Sequence, residues 1–326
     1  MRYLGIDIGG ANTKIATSDG TIVELHYLPL WKDTTLPQTL KNIAKRLNPD
    51  IVAVVITGEL ADCFEDKLHG LKFIMRAVED AFRCEVCYIG TNGDIHKHGE
   101  DMRNLAAANW AASSRLIGEE LGDCIFVDVG STTTDIIPIA NAKHMASTTD
   151  FKRLLASELM YMGTLRTNVA TLVDRVELKP GTCRVSSELF TTTGDVYLLL
   201  EDIRPETYTC TTADGAGKSR LETMRRLARL VCADMEEISE DEVMEIARQV
   251  KEKQISLLTQ AISTVSQKHG IRRIVAAGIG EFMIIEAAER LGMECISVAE
   301  KWGKEISDVF PAYAAAWLVE RNAKLQ

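Results

Sequence analysis

Two well-separated stretches of the chain follow one plan: an apolar strand ending in Asp-x-Gly, a few small polar residues, and a second apolar strand. The first runs from Tyr3 to Ala16 and the second from Phe126 to Ile139. Aligning Asp7 with Asp128 sets Gly9 on Gly130 and Thr13 on Thr134. A single Gly-Gly hairpin is ordinary, but a repeated one predicts a duplicated domain with two turns facing each other. Gly9, Gly10 and Gly130 allow tight turns and close approach of a ligand to the backbone. The N–H groups of such turns form a concave anion site. Asn12, Thr13 and Lys14 in one copy, and Ser131, Thr132, Thr133 and Thr134 in the other, add donors for phosphate oxygens. An acid beside a phosphate cradle calls for a cation between them, so Asp7 and Asp128 are the candidate ligands of Mg2+ or Mn2+.

The length, 326 residues, favours two domains, and 46% hydrophobic residues provide a substantial core. A net charge of −10 argues against a nucleic-acid surface. The chain enters a strand at once, so no signal peptide is expected, and no apolar run reaches the length of a membrane span. Eight scattered cysteines fit free thiols in a cytoplasmic protein.

A third strand is expected over 21–28 and a helix from Leu36 to Leu47. The run Ile51 to Thr57 reads as a strand buried on both faces, delivering Glu59 just past its C-terminal end. Ligands gather at such ends. Glu59 is therefore a candidate catalytic acid or base, and reads equally as a solvated loop acid. A helix over 65–83 and a strand over 85–89 follow. Cys84, Cys87, His96 and His98 invite a zinc reading, but their spacings are off the usual patterns, so apolar packing is the better expectation. An Ala-rich helix is expected over 104–116.

An irregular insert spans 141–216, with a helix over 151–159. Its Gly, Thr and Arg content suggests substrate contacts, and Arg166 and Asp214 are the candidates. Gly215 to Ser219 resembles half of a P-loop but has Thr212 where glycine is needed. Lys218, Arg220, Arg225, Arg226 and Arg229 lie on a helix, where a solvated face is favoured over a ligand-attracting rim. Ser239 and Glu242 form a capping box for a long helix ended by Gly270. The strand from Arg273 leads into Gly278-x-Gly280, and an Ala-rich helix closes the chain.

The order Asp7-x-Gly-Gly, Asp128-x-Gly-Ser-Thr-Thr-Thr-Asp135 and Gly278-x-Gly280 resembles the phosphate-1, phosphate-2 and adenosine motifs of the acetate and sugar kinase, Hsp70 and actin superfamily. Ala11 departs from it, since many members have Thr there. The resemblance implies an α/β fold of two duplicated actin-like (ribonuclease H-like) lobes with mixed sheets and an interlobe cleft. The first lobe would span 1–121 and the second 122–326, with the closing helix 308–326 packing back on the first.

With Ile56 to Leu60 and the Thr-Ala-Asp-Gly215 loop, the chain looks more like the hydantoinase/oxoprolinase branch. Within that branch it most resembles the short archaeal and methylotroph proteins of methanofuran biosynthesis. That resemblance implies a cytoplasmic transferase joining (5-aminomethyl-furan-3-yl)methyl diphosphate to the phenol of γ-glutamyltyramine, forming an aryl ether and releasing diphosphate. Gly278, Gly280, Arg166 and Asp214 would then contact nucleotide or substrate. Asp128, Asp135 and Glu59 stand as alternative bases for the phenol. ATP is admitted by the superfamily motifs but not required by this chemistry, and a homo-oligomer is left open. The rival expectation is an ATP-dependent small-molecule kinase or a hydantoinase-type hydrolase. A non-catalytic ATP-binding regulator is a third, weakened by the lack of an appended binding domain.

Overall fold

The computed structural model describes residues 1–32, 35–97, 102–179 and 181–325. Two mixed sheets organise the chain. In the first, β1 (Tyr3–Gly9) and β2 (Asn12–Thr17) form an antiparallel hairpin, extended by β3 (Val23–Tyr27). β4 (Ile51–Thr57) and β5 (Glu85–Ile89) run parallel on the other side of β1, and β6 (Ile95–His96) lies at the edge. The second sheet repeats this plan with the hairpin β7 (Cys124–Val129) and β8 (Thr134–Ala140). β9 (Lys143–His144) and β10 (Leu159–Met160) pair with β8. A separate hairpin, β11 (Arg175–Leu178) and β12 (Gly181–Arg184), belongs to the insert. β13 (Arg273–Ala277) and β14 (Glu294–Ser297) then run parallel beside β7, as β4 and β5 do beside β1. The repeat expected from the two turns is thus a repeat of whole sheets.

Helices α1 (Leu36–Leu47) and α2 (Lys67–Ala81) cover the outer face of the first sheet. The second sheet's outer face is covered by α7 (Glu240–His269) and α8 (Glu281–Leu291), after the insert helices α4 (Asp150–Leu155), α5 (Thr193–Leu199) and α6 (Arg220–Arg229). Between the sheets lie α3 (Asn109–Leu121) and, after the short α9 (Val298–Trp302) and α10 (Lys304–Asp308), the closing helix α11 (Phe310–Leu325). α11 packs on β1, β2, β4 and α3. No helix among the described residues is long and apolar enough to cross a membrane.

Strand alternation assigns the faces. Leu4, Ile6 and Ile8 enter the outer core of the first sheet, while Tyr3, Gly5 and Asp7 face inward. Ile125, Val127 and Val129 likewise face outward in the second sheet, and Cys124, Phe126 and Asp128 inward. Both aspartates therefore emerge on inner faces at strand ends. Gly5 lets α11 approach β1 closely, because a Cβ there would overlap the Ala312 carbonyl and lie 2.9 Å from the Ala316 nitrogen. Neither atom can move without shifting helix backbone. Gly5→Val is expected to destabilise the protein by about 3 kcal/mol, the upper range of overpacking, as urea unfolding would measure. A loss under about 0.5 kcal/mol would mean that the joint yields.

Two expected helices are corrected. The Ala-rich helix starts at Asn109, not 104, because Ala106 bridges to Ile56 in extended form and Ala107 is left-handed at φ 51°. The helix expected over 151–159 stops at Leu155, and Leu159 and Met160 instead pair with Asp135 and Thr134 at the sheet edge.

Candidate active site

The two turns meet across the cleft, where Asn12 Nδ2 donates to Ser131 Oγ at 3.2 Å. Asp7 is buried, accepts from Thr57 Oγ1 at 3.2 Å, and lies 3.8 Å from Lys14 Nζ. Register pairs Asp7 with Lys14 and Asp128 with Asp135, so each aspartate has a charged cross-strand neighbour on its own face. In the first lobe that neighbour is a cation. In the second it is another acid, and the fully buried Arg153 compensates by pairing with Asp135 and, at 3.4 Å, with Asp150.

Burial raises the Asp7 carboxyl above its ordinary range; Lys14 opposes this and Asp135 reinforces it. Asp128 is pushed up to about 7, again chiefly by burial, with Lys14 opposing and Asp135, Asp7 and Asp308 adding repulsion. Asp7 and Asp128, both buried, thus share Lys14 as their compensating cation. A divalent cation bound by Asp7 and Asp128 would relieve that repulsion, so the residues fit such an ion. Among the described residues no three His, Cys, Asp or Glu side chains converge to cage a metal. The donor set therefore suits an Mg2+-like ion that completes its shell with water and phosphate oxygens.

The turns themselves are open. A Cβ at Gly10 would meet nothing within 4 Å, and one at Gly130 would meet only the Thr133 carbonyl oxygen at 3.5 Å. A Cβ at Gly9 would come within 3.0 Å of the Asn12 carbonyl oxygen. Ser131, Thr132 and Thr133 are partly exposed around the second turn. Thr13 and Thr134, expected among the phosphate donors, are not. They pair with Ile8 and Val129 on the outer faces, and the Thr134 hydroxyl donates to the Met162 carbonyl at 2.7 Å. Alternation that turns each Asp inward turns the Thr opposite the next residue outward.

Glu59 sits just beyond Thr57, is almost fully buried, and has its carboxyl pushed up to about 7 by burial. Lys67 Nζ lies 4.0 Å away, the Ala107 N–H donates to the carboxylate, and Asp150 approaches from the other lobe. Its Oε2 has no hydrogen-bond partner among the described residues. The solvated-acid alternative for Glu59 is thereby removed. Asp135, by contrast, is committed to Arg153.

Arg166 reaches the site. Its backbone N–H donates to the Ser131 carbonyl at 3.0 Å, and its guanidinium donates to Thr132 Oγ1 at 3.3 Å. Asp214 does not join the turns. It pairs with Arg226 at 3.2 Å and Arg229 at 2.9 Å, while Arg226 pairs with Asp195 at 2.7 Å, both fully buried. The solvated basic face therefore fails at Arg226, whose charge ties α6 to the start of α5. A Thr192–Asp195 capping box was the overlooked signal for Asp195.

Gly278 has φ +90°, and its N–H donates to Ser307 Oγ at 3.1 Å; Ser307 in turn donates to Glu281 at 2.8 Å. The Gly280 N–H donates to the Val129 carbonyl at 2.9 Å. Both N–H groups are used inside the lobe rather than offered to a ligand. Of the zinc quartet, His98 lies outside the described residues, and Cys87 is buried on β5.

The hydantoinase/oxoprolinase family model matches residues 50–322. A Methanocaldococcus jannaschii protein named (4-{4-[2-(gamma-L-glutamylamino)ethyl]phenoxymethyl}furan-2-yl)methanamine synthase is 39% identical, over 99% of this chain and 98% of its own. A Methanococcus vannielii protein of the same name is 38% identical, over 62% of this chain and 94% of its own. Among solved structures, a ROK family glucokinase from Streptomyces griseus in complex with glucose and AMPPNP aligns over 98% of this chain and 100% of its own, with a TM-score of 0.52 at 11% identity. That likeness concerns the fold, the two-lobed α/β arrangement of actin-like proteins. With most of its length matched by the family model, this chain belongs to the hydantoinase/oxoprolinase family.

Proposed function

We propose that this chain is a transferase that condenses (5-aminomethyl-furan-3-yl)methyl diphosphate with the phenol of γ-glutamyltyramine. The observation that carries this reading is the 39% identity, over almost the whole of both chains, to a protein named for the resulting phenoxymethyl-furan product. The site suits the chemistry. The bond between the furan-methyl carbon and a diphosphate oxygen breaks, and its electron pair leaves with the diphosphate. A phenol oxygen lone pair closes on the carbon, and the phenol proton passes to a base.

The turn backbone at Gly9 and Gly10 holds the diphosphate, with Asn12, Lys14, Ser131, Thr132 and Thr133 as donors, while the Gly130 N–H is spent within its own turn on the Thr133 carbonyl at 3.0 Å. Asp7 and Asp128 would hold Mg2+, whose charge makes diphosphate a better leaving group when bound. We assign the base to Glu59. Asp7 and Asp128 serve the cation and Asp135 is held by Arg153, whereas Glu59, pushed up to about 7, keeps an oxygen with no hydrogen-bond partner among the described residues. A base of that strength is suited to a phenol whose own pKa is near 10.

The occupied N–H groups of Gly278 and Gly280 favour a reaction without nucleotide over the kinase alternative. The substrates would make the protein part of methanofuran biosynthesis, consistent with relatives from methanogens. The test is incubation of the purified protein with Mg2+ and both substrates but no nucleotide, with the ether read by mass spectrometry. Ether with one equivalent of diphosphate is the expected result. No ether without ATP, but ADP formation when ATP and acceptor are added, would replace this reading with a kinase.

A further inference from the structure

The two phosphate turns are roofed by a pair of side chains not used in the chemistry above. Trp31 follows Leu28 and Leu30, whose N–H groups donate to the carbonyls of Ala11 and Gly10, both at 2.9 Å. The Leu30 side chain is buried, where a Cβ on Gly58 would come within 2.8 Å of it. The indole is thus carried by a segment fastened to the first turn. Arg166 is fastened to the second turn in the same way, because the N–H groups of Leu165 and Arg166 both donate to the Ser131 carbonyl at 3.0 Å. The Arg166 guanidinium lies 4.5 Å above the Trp31 ring, so the pair spans the cleft.

Arg166 also differs from the buried arginines. Arg153 and Arg226 are each paired with two acids. Arg166 is partly exposed, and among the described residues its guanidinium meets the Thr132 hydroxyl and the Trp31 face, with no carboxylate within ion-pair distance. A chain with net charge −10 has acids to spare. A guanidinium left without one, between two anion cradles, is available to a phosphate, which its planar fork suits. The indole face is already positioned against a cation.

We propose that Arg166 and Trp31 divide the substrate between them: Arg166 binds the leaving diphosphate, and Trp31 faces the furan-methyl carbon. This rests on the condensation reading. As the carbon–oxygen bond breaks, the electron pair moves onto the diphosphate beside Arg166. Positive charge grows on the furan-methyl carbon beside the indole, whose π face attracts it. Attack by the phenol oxygen, with its proton passing to Glu59, completes the ether and neutralises the carbon, while the diphosphate keeps the electron pair and departs as the anion held by Arg166. The guanidinium covering Trp31 in the free site exchanges one anion-free position for the diphosphate and leaves the ring to the substrate.

The test separates the two roles. Inorganic diphosphate with Mg2+ is titrated by calorimetry into the wild type, Arg166→Lys, Trp31→Phe and Trp31→Leu, with circular dichroism and melting to confirm folding. Arg166→Lys is expected to weaken diphosphate about tenfold, the scale of a charge-assisted bidentate contact. Both Trp31 variants should stay within about twofold of wild type on the same affinity scale. In turnover, Trp31→Leu should lower kcat about thirtyfold, the scale of a desolvated cation–π contact, with Trp31→Phe falling in between. Unchanged diphosphate affinity in Arg166→Lys would overturn its half. Equal kcat losses in Phe and Leu, or none in Leu, would overturn the role of the ring. If the wild type makes no ether, the condensation reading and the Trp31 role fail together, whereas the diphosphate titration still decides Arg166.

Discussion

Asp128→Asn is expected to lower kcat for ether formation roughly a thousandfold, while making the metal-free protein more stable at neutral pH. The two effects have one cause. Burial, together with Asp135, Asp7 and Asp308, drives the Asp128 carboxyl up to about 7 against the attraction of Lys14. A carboxyl whose folded pKa exceeds its unfolded value binds protons more tightly in the folded state. Folding stability then falls as pH rises from about 4 towards 7 and levels off above. At one pKa unit per 1.36 kcal/mol, this group costs the metal-free wild type at most about 4 kcal/mol by pH 8. Asparagine cannot ionise, so the variant should lack that fall.

Urea unfolding with a chelator between pH 4 and 8 measures the difference, which should widen up to pH 7. Mg2+ with inorganic diphosphate should restore wild-type stability at pH 8 and do little for the variant. Retained ether formation in Asp128→Asn would remove this carboxylate from the reaction. Parallel pH–stability curves would mean that its repulsive surroundings are compensated in solution.

Glu59→Gln should cost between about a hundredfold and ten thousandfold in kcat, the usual contribution of a general base. The base acts when deprotonated. With Glu59 pushed up to about 7, wild-type kcat should rise with pH and level off above that value. Lys67, which lowers this pKa, and Asp150, which raises it, set where the bend falls. The variant should lose the bend and recover activity only as the solution approaches the phenol's own pKa of about 10. A pH–rate profile on both proteins with saturating Mg2+ reads this directly. A variant that keeps the bend near 7 would transfer the role to another group.

Much of this arrangement is legible in neighbouring residues. The hairpins around Gly9-Gly10 and Gly130, the apolar runs that become β4 and β13, and the capping box at Ser239 are all encoded within a few positions. The same holds for the left-handed Gly270 that ends α7. Alternation also contained a correction that the motif comparison missed, since Thr13 and Thr134 cannot share a face with the adjacent Lys14 and Asp135.

The tertiary structure decided which charges meet. Arg153, 18 residues beyond Asp135, joins it in the core from a helix outside the hairpin, and Arg226 enters the interior to meet Asp195 although its helix is otherwise rich in exposed cations. Trp31 and Arg166 come from different lobes and touch only because the two turns converge. In sequence Glu59 reads equally as a candidate catalytic group past a strand end and as a solvated loop acid; its proton affinity comes from burial and from Lys67 and Asp150, supplied by other elements. Turns, caps and strand faces depend on backbone geometry over a few residues, and a sequence carries them locally. Ion pairing and proton affinity depend on desolvation and on neighbours that only the packed lobes bring together.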